Sequence, residues 1–271
     1  MDSERRDITF YLWADTHFGY DQSFGPADFR WDIIRQMSKL SGWPYPEEVG
    51  GCVDAPAFVM HCGDMLDAEK DGAYELAVYR YFLADLHIPH YETLGNHDTS
   101  KAFSGYFRDK YGGNSYSFDM NGIHFISLGG QYNAQEVGTI PDSQIRFLGK
   151  DIKALDADTP IVLFTHSRLD RVTNGAHVVR LLKQKRPILV ASGHLHRPSP
   201  FLVQGILGID IGHCRNHPND LEWGRSFTVV RIKGNTLTAV PWRWDLKDWE
   251  KGQRQSHYPT IHRAAVVNRR I

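Results

Sequence analysis

Residues 57–64 read A-F-V-M-H-C-G-D, an apolar, β-rich run that stops on a glycine and a carboxylate. Strands that end on polar, metal-binding side chains are the pattern of an open α/β sheet, whose sites gather beyond the carboxyl ends of the strands. Outward from Asp64 the pattern recurs in both directions. Ile8 to Ala14 stops at D-T-H, with Asp15 and His17, and His90 to Leu94 runs into G-N-H-D, Asn96 to Asp98. Ile161 to Phe164 leads to T-H at His166, and Ile188 to Ala191 leads to G-H-L-H, with His194 and His196. One such piece means little, since a chain with fourteen histidines holds an H-x-H by chance roughly once. The ordered set is what carries information.

The intervening segments read as helices. Phe29, Ile33, Ile34, Met37 and Leu40 fall at helical spacing, and Gly72 to Leu86 has aromatic and aliphatic residues three and four apart. Pro141, with Asp142 and Ser143 behind it, opens a helix to about Leu155, and Ala176 to Lys185 forms another. Strand, helix, strand in alternation implies parallel strands with helices outside. Tyr116 to Phe118 and Ile123 to Leu128 flank an N-G hairpin signal at Asn121-Gly122. After His196 come short strands, Phe201 to Val203, Ile206 to Ile211, Phe227 to Ile232 and Leu237 to Pro241, the last two joined across Lys233, Gly234 and Asn235. Two strand sets with helices outside both suggest two packed sheets. One catalytic domain over residues 1–244 is expected, with the tail 245–271, polar but for Trp249 and carrying scattered Arg and His, docked on its surface rather than forming an independent binding arm.

Composition narrows the partners. Lys plus Arg number 31 against 32 Asp plus Glu, so there is no bulk electrostatic reason to expect nucleic acid or an acidic membrane surface. No stretch approaches bilayer length, and M-D-S-E-R-R-D-I-T-F-Y-L-W lacks the layout of a secretion signal. Cys52, Cys62 and Cys214 are too few, and odd in number, for a disulfide framework. A cytoplasmic protein acting on a small molecule is the expectation.

Hydrolysing a phosphoester at neutral pH needs an activated water, neutralised phosphoryl oxygens and help for the leaving group, and two adjacent metal ions meet the first two needs. Asp64, central in the motif order, is the candidate bridge. Asp15, His17, Asp64 and His196 would hold one ion, and Asp64, Asn96, His166 and His194 the other, with a sharp turn at G-H-L-H aiming His194 and His196 at different ions. Carboxylate, amide and imidazole without thiolate suit Mn, Zn, Fe(II) or Co. His97 would reach over the pocket as proton donor to the leaving oxygen, with Asp98 orienting its ring. A metal-held hydroxide attacking in line dispenses with a serine or cysteine nucleophile. Taken singly, each residue has a plainer explanation: Asp64 and Asp98 could cap helices, and His166 could be a satisfied core histidine. His213, Arg215, Arg168, Asn174, Gln131 and Tyr132 follow motif-bearing or neighbouring strands and are candidate substrate contacts. The remaining histidines, His61 and His124 among them, read as packing or surface residues.

These residues resemble the calcineurin-like metallophosphoesterase superfamily, whose pattern runs D-x-H, G-D-x-x-D, G-N-H-D/E, H and G-H-x-H; the match spans Asp15 to His196. The resemblance implies a four-layer α-β-β-α sandwich, with two central mixed β-sheets flanked by helices and a binuclear site. It also implies the division of ligands given above, with His97 and Asp98 as the catalytic pair. The chain lacks the arginines that Ser/Thr protein phosphatases carry around G-D-M-L-D and L-G-N-H-D, and Asp67 stands where purple acid phosphatases have tyrosine. S-Y-S-F-D-M-N-G-I-H-F-I-S-L looks like the hairpin of small cyclic-nucleotide and glycerophosphodiester phosphodiesterases, although Leu128-Gly129-Gly130 and His166-Ser167-Arg168 depart from their pattern. The leading expectation is a metal-dependent phosphodiesterase for a small organic phosphate. The alternatives are a phosphomonoesterase, a non-catalytic metal-binding scaffold for a protein partner, and a nuclease, which would want a basic groove.

Overall fold

The computed structural model describes residues 6–20, 28–67, 71–132, 138–217, 220, 222–250 and 267–271. In chain order its elements are β1 (Asp7–Trp13), α1 (Phe29–Lys39), β2 (Phe58–His61), α2 (Ala73–Ala84), β3 (His90–Glu92), α3 (Lys101–Tyr111), β4 (Ser115–Met120), β5 (Ile123–Leu128), β6 (Gln131–Tyr132) and β7 (Gly138–Thr139). There follow α4 (Asp142–Ala154), β8 (Pro160–Thr165), α5 (Gly175–Leu182), β9 (Arg186–Ser192), β10 (Ser199–Val203), β11 (Ile206–Asp210), β12 (Ser226–Lys233), β13 (Thr236–Arg243), β14 (Asp248–Trp249) and β15 (Val267–Arg270).

Two mixed sheets form the centre. One runs β14-β13-β12-β1-β2-β3, with β15 also on β13, and the other runs β10-β11-β9-β8-β5-β4. Strands β1, β2 and β3 are parallel, as are β5, β8, β9 and β11. The period of two along each strand explains the layering. Phe10, Leu12, Ala14, Phe58, Met60 and Cys62 turn inward to meet Phe125, Val162, Phe164, Leu189 and Ala191 of the other sheet. Their neighbours Tyr11, Trp13 and Val59 turn outward beneath Ile33, Ile34 and Met37 of α1, Phe82 of α2 and Phe103 and Phe107 of α3. On the opposite face Ile126, Leu163 and Val190 pack under Leu148 and Ile152 of α4 and Val178 and Leu182 of α5. The result is the expected four-layer α-β-β-α sandwich.

The hairpin turn falls at Asn121 and Gly122, both at positive φ, as its N-G signal requires. Helix α4 begins one residue after Pro141, which is its N-cap. Helix α3 had no counterpart in the sequence reading. Its signals were present, because the Ser100 hydroxyl accepts from the Phe103 amide, Phe103 and Phe107 stand one turn apart, and Gly112 closes the end at φ 77. Of the tail, Asp248–Trp249 and Val267–Arg270 add strands to β13, and residues 251–266 lie outside the described residues. No helix among the described residues is long and apolar enough to cross a membrane.

Candidate metal centre

Every motif sits at the carboxyl end of a strand: β1, β2, β3, β8 and β9 deliver Asp15/His17, Asp64, Asn96/His97, His166 and His194/His196 respectively. The turns that follow are tight. Asp15, His17, Asp64, His194 and His196 all have left-handed backbones, with φ between 43 and 69. Each such non-glycine residue costs about 1 kcal/mol or more, and the cost is met by cross-links between loops. The amides of Asp15 and His17 donate to the carbonyls of Gly63 and Asp64 at 3.0 and 3.1 Å. The His194 amide donates to Asp15 Oδ2 at 3.1 Å, and the His97 amide to Asp64 Oδ1 at 2.9 Å. Gly95 is required here, since a side chain on it would run into the Asp64 carboxylate.

These turns gather ligand atoms within 4.8 Å of one another in three sets: His17, Asp67 and His97, and the two groups that share no residue, Asp15, His17 and His196, and Asp64, His166 and His194. Asn96 Oδ1 joins the second group at 3.0 Å from both His166 Nε2 and His194 Nδ1. Asp64 Oδ2 lies 3.2 Å from His166 Nε2 and 3.7 Å from His17 Nε2, so one carboxylate oxygen faces both groups.

The donor set fits divalent ions. His17 is 1% exposed, yet neither ring nitrogen makes a hydrogen bond among the described residues; the carboxylates facing it stand at 3.6 to 4.0 Å. A buried imidazole with two unpaired nitrogens is costly unless something else takes its lone pair. His166 Nδ1 donates to the Cys62 carbonyl at 2.8 Å, which leaves Nε2 of the neutral ring aiming a lone pair at two acceptors, Asp64 Oδ2 and Asn96 Oδ1. A cation resolves that clash. The titration behaviour has the same cause. Burial lowers the His166 and His196 pKa values, but Asp64 and Asp15 outweigh it and carry them up to about 10 and about 9. Burial would raise the Asp15 pKa, but the imidazoles of His196 and His166 bring it down to about 2. The cluster draws positive charge, as protons or as metal ions competing for the same lone pairs.

The partner of His97 differs from the sequence expectation. Asp98 is buried and its carboxylate is taken up by backbone amides: its Oδ2 accepts from the Asp64 and Gly95 amides, both at 2.8 Å, and its Oδ1 from the Leu66 amide at 3.0 Å. A carboxylate so engaged organises the turns instead of the imidazole. Asp67 stands beside His97, with Oδ1 3.0 Å from His97 Nδ1, and this hydrogen bond raises the His97 pKa. Its signal was the second aspartate of G-D-M-L-D.

The candidate substrate contacts divide. The Tyr132 ring lies 5.9 Å from that of His166 and 6.1 Å from that of His194. With Gln131, Asn96, His97 and Asn114 it lines a cavity of about 600 Å³. Arg168 and Asn174 do not join the cluster. Arg168 pairs with Asp170 at 2.6 Å and Asp210 at 3.3 Å over the Phe201 ring, and Asn174 bonds the backbone of Ile140. His213 is fully buried with its ring 5.5 Å from that of His196, and Arg215 forks onto Asp220. Asp220 belongs to no motif and had no signal in the sequence.

The strand-end placement of all five motifs agrees with comparison to known proteins, in which the calcineurin-like phosphoesterase profile matches residues 8–198. The chain belongs to the calcineurin-like phosphoesterase family. That family hydrolyses phosphoric esters and is metal-dependent. A probable cyclic nucleotide phosphodiesterase of Rhodopseudomonas palustris is 26% identical over 167 residues, 55% of this chain and 60% of that protein. The chain thus spans less than two thirds of this relative's length. Among solved structures, GAP50, the anchor in the inner membrane complex of Plasmodium, matches with TM-score 0.53 and 12% identity over 96% of this chain and 90% of that one, which supports the fold. An archaeal phosphodiesterase matches with TM-score 0.46 and 14% identity over 86% of this chain and 99% of that one.

Proposed function

We propose that this calcineurin-like phosphoesterase is a binuclear metal-dependent phosphodiesterase acting on a small organic phosphoester. The observation that carries the reading is the pair of ligand groups faced by one Asp64 oxygen. Asp15, His17, Asp64 and His196 would hold one divalent ion, and Asp64, Asn96, His166 and His194 the other, with Mn, Zn, Fe or Co suited to these donors. When bound, such a pair supplies an activated water and neutralises phosphoryl oxygens. The protein's own contribution is orientation and a proton. Asp67 holds His97 through Nδ1 and favours its protonated form, leaving Nε2 to donate to the leaving oxygen. The cavity walled by Tyr132, Gln131 and Asn114 offers about 600 Å³ to the organic arm. The diester preference draws support from the similarity to the Rhodopseudomonas protein.

The test is turnover of an aromatic phosphate diester and the matching monoester by metal-loaded protein. Asp64→Asn and His97→Ala should each be slowed about 100-fold or more. Full activity in both variants would end the proposal, and preference for the monoester would move it to a phosphomonoesterase.

A further inference from the structure

The two ligand groups are backed differently. Behind His166 stands a neutral acceptor, the Cys62 carbonyl at 2.8 Å. Behind His196 stands a carboxylate: Asp220 Oδ1 lies 3.1 Å from His196 Nδ1, while the opposite nitrogen, Nε2, lies 3.1 Å from Asp15 Oδ1. Asp220 is itself held. Arg215 donates from Nε to Asp220 Oδ2 at 2.6 Å and from Nη2 to Oδ1 at 3.0 Å, a two-pronged grip that fixes the carboxylate plane. Both residues follow the 8–198 stretch that matches the family profile. His196 needs external support, because its left-handed backbone, at φ 55, is a conformation that a histidine reaches only under constraint.

We infer that Asp220, gripped by Arg215, is a positioning residue that orients His196 and strengthens its hold on the ion bound by Asp15, His17 and His196. The reasoning rests on the metal assignment proposed above. If His196 Nε2 is to give its lone pair to a metal ion, the ring proton must sit on Nδ1, where Asp220 Oδ1 accepts it. A carboxylate acceptor locks that tautomer and makes the imidazole a stronger donor than a carbonyl does. Arg215 Nη2, 3.3 Å from His196 Nδ1, offers only protons, so it favours the wrong tautomer unless Asp220 occupies both of its prongs. The Asp220–Arg215 pair therefore keeps the guanidinium committed, while Asp220 Oδ1, with a second lone pair to offer, accepts from the ring as well as from Arg215 Nη2.

The test is calorimetric titration of the metal-free protein with Mn²⁺. Asp220→Asn should weaken one of the two ions about 10–100-fold and leave the other unchanged, a selectivity that a merely structural loss, which would loosen both ions together, would not give. In a His196→Ala background the same substitution should have no further effect, whereas in a His194→Ala background its full effect should persist. Equal weakening of both ions, an undiminished effect without His196, or unchanged affinity for both would overturn the inference. Should Asp220→Asn fail to fold, Arg215→Gln keeps the carboxylate and loosens it; it should weaken the same ion by a smaller factor, and no change there is equally fatal. Absence of any Mn²⁺ binding by the parent protein would instead remove the metal centre itself, a separately recognisable failure.

Discussion

Removing the Asp98 carboxylate separates two roles that the sequence could not tell apart. Its oxygens accept from the amides of Asp64, Gly95 and Leu66, and the residue is 3% exposed. Asp98→Ala strands these donors in a place poor in water, and each unmet buried donor costs about 1 kcal/mol or more, so about 3 kcal/mol is the expected minimum loss. Asp98→Asn can keep its oxygen toward Asp64 and Gly95 and loses only the bond to Leu66. Burial and the neighbouring Asp64 carboxylate push the Asp98 pKa up to about 7, so the amide also removes a charge that the site disfavours. The net loss for Asn is therefore smaller, about 1 kcal/mol. Urea unfolding of metal-free protein, read as a shift of midpoint at constant slope, measures both. If Asp98→Ala unfolds within about 0.5 kcal/mol of the parent while the rate's dependence on pH moves, Asp98 serves His97, and the assignment made here is wrong.

The complementary substitution, Asp67→Asn, should cut turnover about 100-fold while shifting the urea midpoint less than Asp98→Ala does; the reverse ranking would contradict the His97–Asp67 pairing. Chelation should abolish turnover and lower the melting temperature, and a divalent ion at 100 times its Kd should add about 2.7 kcal/mol of stability; a melting temperature indifferent to metal would count against a folded-state metal site. Away from the centre, His124 meets Asp119 at 2.7 Å and Asp151 at 2.8 Å through its two ring nitrogens. Burial lowers its pKa, but these bonds outweigh it and raise the value above the ordinary one. A raised folded pKa stabilises below the unfolded value, near 6.5, and the benefit fades as pH climbs through the folded value. The midpoint gap between parent and His124→Gln should thus be wider at about pH 6 than at about pH 9; a gap that widens with pH would refute the ion pairing.

The residues of the candidate metal centre were legible because each lies within four positions of a strand end, and strand ends are written locally, as apolar runs broken by Gly, Asp or His. The same locality exposed the layering: alternate residues such as Phe10 and Tyr11 belong to different cores because a strand turns successive side chains to opposite faces. What escaped were relations between turns. Asp67 and Asp98 are equally plausible partners for His97 when only spacing is known. The choice is made by the path of the loop after β3, which aims Asp98 at three backbone amides and brings His97 back over the loop after β2. Arg168 and Asn174 looked available for substrate, and were claimed by Asp210 and by the Ile140 backbone.

By itself, then, the sequence determined which chemical groups this protein brings to its strand ends and the order in which they come, since backbone periodicity and turn preference act over a few residues. Tertiary structure alone decided which of those groups touch. Asp220 reaches His196 across 24 positions of chain, a meeting that depends on how two sheets pack and where their loops cross, and side-chain packing of that kind leaves no trace in a local pattern.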